Sequence, residues 1–176
     1  NNVEKEVVDA KGSTPLLWAA DKGHLDVVKY LCEQGADKEA ADKKGNTPLF
    51  MAASTSEIPV MQYLCEQGVD KEARDNLGMT ALHKAAYYGR LPAVQCLYEQ
   101  GADKNARCNK SGHRPLHMAS EKGHLPVIQY LCEQGADKDA RNIGDNTPLI
   151  LSVYIGHLPV VQYLCEQGAD KESTDA

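Results

Sequence analysis

Six cysteines, six histidines and 25 acidic residues are the side chains of this 176-residue chain that could ligate a metal, form disulfides or catalyse. Their spacing argues for architecture. Cys32, Cys65, Cys132 and Cys165 each open the same Cys-Glu-Gln-Gly segment, and Tyr98 stands at the corresponding place between the second and third of them. If that place recurs on stacked helices, successive thiols lie about 8–10 Å apart, beyond the roughly 7 Å between Cα atoms that a disulfide tolerates. These thiols, with Cys96 exchanging places with the tyrosine of its own segment, read as small core hydrophobes. Cys108, in a turn expected to be exposed, is the reactive candidate, and six unpaired thiols fit a reducing, cytoplasmic compartment.

Histidines repeat in the same way: His24, His124 and His157 share one place, and His83 and His117 another. Neither set has the close spacing of a zinc site, so structural imidazoles are expected and no metal. His113 stands apart as a contact candidate. The carboxylates form ladders, Glu33, Glu66, Glu99, Glu133, Glu166 and Asp37, Asp70, Asp103, Asp137, Asp170, whereas an acid, base or nucleophile must be set apart from its surroundings. With no phosphate loop, nucleophile elbow or metal-binding His-Glu pair, neither catalysis nor a cofactor is expected. Asn109-Lys110-Ser111 matches a glycosylation acceptor, but short sequons occur by chance and the thiols argue against secretion.

The ladders come from a repeat. Thr14, Thr47, Thr80, Arg114 and Thr147 are separated by 33, 33, 34 and 33 residues, with the one extra residue near Cys108. Five units follow, 9–41, 42–74, 75–108, 109–141 and 142–174, with 1–8 resembling the tail of a preceding unit and 175–176 the start of another. The simplest expectation is a piece of a longer array. Within a unit, Thr-Pro joins an N-cap hydroxyl to a proline at the first helical position. A short helix runs through Ala19-Ala20 and stops around Gly23; a second begins at His24-Leu25, presents Leu25, Val28, Leu31 and Cys32 at helical spacing, and ends at Gly35.

Turn, helix, helix in 33 residues with Thr-Pro-Leu at the helix start resembles the ankyrin-repeat family over essentially the whole chain. The motif stands at Thr14-Pro15-Leu16, Thr47-Pro48-Leu49, Thr80-Ala81-Leu82, Arg114-Pro115-Leu116 and Thr147-Pro148-Leu149. Departures are local: Ser56-Glu57 in place of Gly-His, Asp145 in place of a turn glycine, and the longer turn at Cys108. The resemblance implies an all-α solenoid of stacked helix-turn-helix units, with hairpin-like turns projecting from one edge and first helices lining a concave face. It also implies a non-catalytic scaffold binding a protein or peptide on that face and the turn tips. It places Asn105 where family members undergo asparagine hydroxylation, although Glu or Asp fills the equivalent places here.

Contact residues are sought where the units differ. Before the end of helix one the units carry Asp21-Lys22, Ser54-Thr55, Tyr87-Tyr88, Glu121-Lys122 and Tyr154-Ile155. Turn tips add Lys43, Lys44, Leu77, Met79 and His113. Leu77, Met79, Tyr87 and Tyr88 fall in one unit and suggest an anchor patch, since tyrosine gives apolar area and a hydroxyl at low entropic cost. The competing reading is that some of them pack on the adjacent turn or beneath another domain. Lys43 and Lys44 add a basic rim, or serve only solubility.

A net charge of −6 disfavours nucleic acid and anionic membrane, and no apolar run approaches the roughly 20 residues that span a bilayer. A monomer is expected. Two alternatives stay open: a structural spacer or tether that binds nothing specific, and the targeting arm of a larger enzyme or channel.

Overall fold

The computed structural model describes residues 7–170. Most of the tail expected over residues 1–8, the end of the fifth unit and the start of another at 175–176 lie outside the described residues. Ten helices and no strand are found among the described residues. They run α1 Pro15–Asp21, α2 Leu25–Glu33, α3 Pro48–Thr55, α4 Ile58–Glu66, α5 Ala81–Tyr87, α6 Leu91–Glu99, α7 Pro115–Lys122, α8 Leu125–Glu133, α9 Pro148–Ile155 and α10 Leu158–Glu166. None is long and apolar enough to cross a membrane.

Each first helix starts where a side chain meets an orphan backbone N–H. The hydroxyls of Thr14, Thr47 and Thr147 accept from the amides of Leu17, Phe50 and Ile150 at 3.3, 3.4 and 3.3 Å. Where histidine stands three residues into the motif, the imidazole does the capping: Nδ1 of His83 accepts from Thr80 N–H, and Nδ1 of His117 from Arg114 N–H, at 3.1 and 3.2 Å. Each cap satisfies a donor that the helix itself leaves unmet.

The odd-numbered helices stack in one row and the even-numbered in a second, each pair antiparallel through a tight turn. Alanine pairs such as Ala52-Ala53 and Ala85-Ala86 are fully buried and let the first row pack closely, while Leu64, Leu97, Leu131 and Leu164 fill the space between rows. Burying one such leucine contributes roughly 1.5–3 kcal/mol, so contacts with the neighbouring units supply a large part of each unit's stability.

Turn backbones join unit to unit. Lys43 N–H donates to Lys11 C=O, Asn76 N–H to Lys44 C=O and Ile143 N–H to Ser111 C=O, at 3.0, 2.9 and 2.9 Å. Among the described residues this ladder is interrupted between the third and fourth turns, where the fourth carries the additional residue: Gly112 N–H reaches back four residues to Cys108 C=O instead of three. Arg74 spans the gap, with Nη1 donating to Gly78 C=O and Arg107 C=O at 2.9 and 2.6 Å. Below the turns, carboxylates and one amide form the rungs: Glu39, Glu72, Asn105 and Asp139 accept from the backbone N–H of Asp70, Asp103, Asp137 and Asp170. A further row of side chains, two residues after the Asp37-type aspartates, thus ties unit to unit with Asn105 as one of its rungs, while the aspartates themselves accept from the amide two residues on.

Candidate functional site

The helix-one ends form a row at the surface, and the units differ most along it. Tyr87, the last residue of α5, and Tyr88, its C-cap, meet edge to face with ring centroids 5.1 Å apart. Tyr87 is half-buried, because Lys122 of the next unit lays its ammonium 4.7 Å above the ring and Glu121 pairs with that ammonium at 3.0 Å. The Glu121 hydrogen bond, helped by Tyr87, holds the Lys122 pKa above its ordinary value. Tyr88 stays 46% exposed. His113 closes the group: its ring stacks on His117 with centroids 5.5 Å apart, and Nδ1 lies 4.0 Å from Glu121. Burial lowers its pKa, which the nearby Glu121 partly opposes.

Five of the residues singled out from sequence, Tyr87, Tyr88, Glu121, Lys122 and His113, thus come together across two units. The imidazoles behind them are structural. His124 and His157 place Nε2 3.0 Å from the carbonyls of Tyr87 and Glu121, and His83 and His117 place theirs 3.0 and 3.2 Å from those of His113 and Asn146. Since Nδ1 of His83 and of His117 accepts a backbone N–H, Nε2 carries the proton and donates. Burial drives both pKa values down to about 4.

The other expected contacts lie elsewhere. Leu77, Lys43 and Lys44 are exposed on the turns, and Tyr154 is 86% exposed beside Val153, Ile155 and Leu158 on the fifth unit. Met79 corrects the expectation of an exposed anchor, at 5% exposure. Its amide donates to Asp75 Oδ1 and its carbonyl accepts from Asp75 N–H, a closure that turns the side chain inward into the core. Cys108 is likewise no exposed thiol, at 4% exposure. It occupies the place of turn-closing Asp42 and Asp75, donating N–H to His113 C=O as they do to Asn46 and Met79, with Sγ 3.0 Å from Ser111 Oγ. The remaining thiols are unpaired as expected, and burial raises Cys96 and Cys132 to about 11, leaving them protonated and unreactive at neutral pH.

Sequence reasoning passed over one row. Trp18, Met51, Lys84, Met118 and Leu151 occupy one place in the first helices, and Trp18, Met51 and the bases of the first two turns line an open groove of about 560 Å³. The signal was available: this place varies among tryptophan, methionine, lysine and leucine, while the pair after it stays small, Ala-Ala in three units, then Ala-Ser and Ser-Val.

A family model described as ankyrin repeats, in three copies, matches overlapping stretches at residues 1–75, 37–108, 69–142 and 107–175. No curated protein matches the chain.

Proposed function

Because this chain belongs to the ankyrin-repeat family, whose members are generally protein–protein interaction modules, we infer that it holds a protein or peptide partner on its first-helix row and turn tips. The observation that carries the reading is the Tyr88 ring. It stands half in solvent on a support that is already fixed: Tyr87 braces it, Lys122 and Glu121 brace Tyr87, and His124 holds the Tyr87 carbonyl. An aromatic ring ordered before binding loses little entropy on contact, which is what an anchor residue requires. Leu77 on its turn and Tyr154 near the end of α9 are further, separate exposed apolar points.

A non-catalytic role is supported by Glu39, Glu72 and Asp139 being engaged as rungs of the stack, and a reducing compartment by the unpaired thiols. The test is a pull-down with the chain beside its Tyr88→Ala variant, whose fold is checked by circular dichroism. The expected result is a specific partner lost, or retained at least tenfold less, by Y88A. Equal retention by both proteins removes Tyr88 from the site, and the absence of any specific partner favours the spacer reading.

A further inference from the structure

The groove between the first two turns differs from the tyrosine patch in charge. Its apolar floor is Trp18, 42% exposed, and Met51, half-buried. Lys11, Lys43 and Lys44 stand on its wall. The acids nearby are already engaged. Asp42 accepts from the backbone N–H of Lys44 and Asn46 and from the Asn46 side-chain amide; Asp9 accepts from the backbone N–H of Lys11 and Ser13 and from the Trp18 indole; Asp21 pairs with Lys22 at 2.8 Å. Lys43 donates to Ala10 C=O at 2.9 Å, and among the described residues the ammonium groups of Lys11 and Lys44 meet no carboxylate. Three ammonium groups thus stand over an apolar floor, those of Lys11 and Lys44 with no carboxylate within ion-pair distance, although Asp21 and Asp42 share the wall and keep their charge.

Lys44 and Asn46 also line a second hollow of about 320 Å³, with Leu77 and Lys84 among its walls. Two open hollows side by side suit an extended segment better than an enclosed small molecule. Lys84 in the second hollow is already committed to Asp75 at 3.4 Å, so the attraction for an anion is concentrated at the first two turns. A phosphate polymer brings no aliphatic side chain to seat on the Trp18–Met51 floor, so the floor favours a peptide over it.

We propose that this groove binds an extended acidic peptide segment whose aliphatic side chain seats between Trp18 and Met51 while flanking carboxylates meet Lys11, Lys43 and Lys44. The proposal rests on reading the chain as a protein-interaction module and assigns one of its partners a chemistry.

Trp18 is the single tryptophan, so its fluorescence reports the groove alone. The probes are a peptide with leucine between two pairs of glutamates, its alanine-centred and lysine-flanked counterparts, and a short DNA duplex. Expected are a saturable change with the glutamate–leucine peptide, weaker binding of the alanine peptide, and none of the lysine peptide. Lys11→Glu/Lys44→Glu, both substitutions being on exposed side chains, should weaken binding at least tenfold, and raising salt should weaken it too. Gln62→Ala, on the exposed surface of α4, should leave the titration unchanged, and a failed titration beside a partner still lost from Tyr88→Ala overturns the groove and spares the tyrosine patch. No saturation, an equal response to the lysine peptide, preference for DNA, or indifference to K11E/K44E each overturns the proposal.

Discussion

Gly89 shows how closely single residues are specified. It adopts φ +68°, and a Cβ there would lie 2.5 Å from Nδ1 of His124. Gly23 and Gly123 stand in the same relation to Glu57 and His157. Gly89→Ala should cost about 2 kcal/mol or more, roughly half from left-handed strain and half from displacing the His124 hydrogen bond; urea unfolding measures it, and a change under 0.5 kcal/mol would contradict the account. The buried imidazoles predict a pH response. His83 and His117 ionise at about 4 in the folded chain and near 6.5 when unfolded, so the unfolded chain takes up protons that the folded one refuses. Their contribution is complete above pH 6.5 and fades as pH falls toward 4, by roughly 2 kcal/mol per ring between pH 7 and pH 5. NMR titration should find both rings neutral at pH 5; native titration near 6.5 would refute it. The recurrence of these histidines made their structural role legible in the sequence. Met79 and Cys108 were not legible, because composition marks a turn without saying which of its side chains point inward.

At the scale of elements, helices, caps and order were readable because each signal recurs in three to five of the units, and proline, threonine and glycine act within a few residues of themselves. What the register of one turn on the next does could not be read, since it depends on backbone pairing between units. The longer fourth turn is the case in point. Asn76 and Ile143 have cross-turn amide bonds, whereas among the described residues Asn109 N–H has no such carbonyl in the third turn. Hydrogen exchange at Asn109 should therefore be faster than at Asn76 and Ile143, and equal protection would show the ladder to be continuous. Ser56 is the departure that closes α3 in the left-handed region at φ 69°. There the next unit offers Arg90, whose Nε donates to Ser54 C=O, in place of a histidine ring. Ser56→Gly should relieve strain and raise stability by about 0.5 kcal/mol after the entropic cost of glycine, as read from the denaturation midpoint; a lower midpoint would show that the serine side chain is needed.

Across the whole molecule, two rows of helices and a ladder of turns hold one long face whose variable positions differ from unit to unit. Part of the candidate site was visible in the sequence as Tyr87-Tyr88 and Glu121-Lys122, because variation against a fixed repeat marks the positions that packing does not dictate. That these two pairs lock together, and that Trp18 and Met51 share a groove, depends on the stacking of neighbours and became clear only in three dimensions. The central claim is that the first-helix row, not the outer row, meets the partner. The most direct measurement places a photoreactive amino acid at Tyr88 or, on the exposed surface of α4, at Gln62, and compares the cross-linked adducts by mass spectrometry. The account predicts a specific adduct at position 88 and none at 62; the same adducts from both positions, or an adduct from 62 alone, would contradict it.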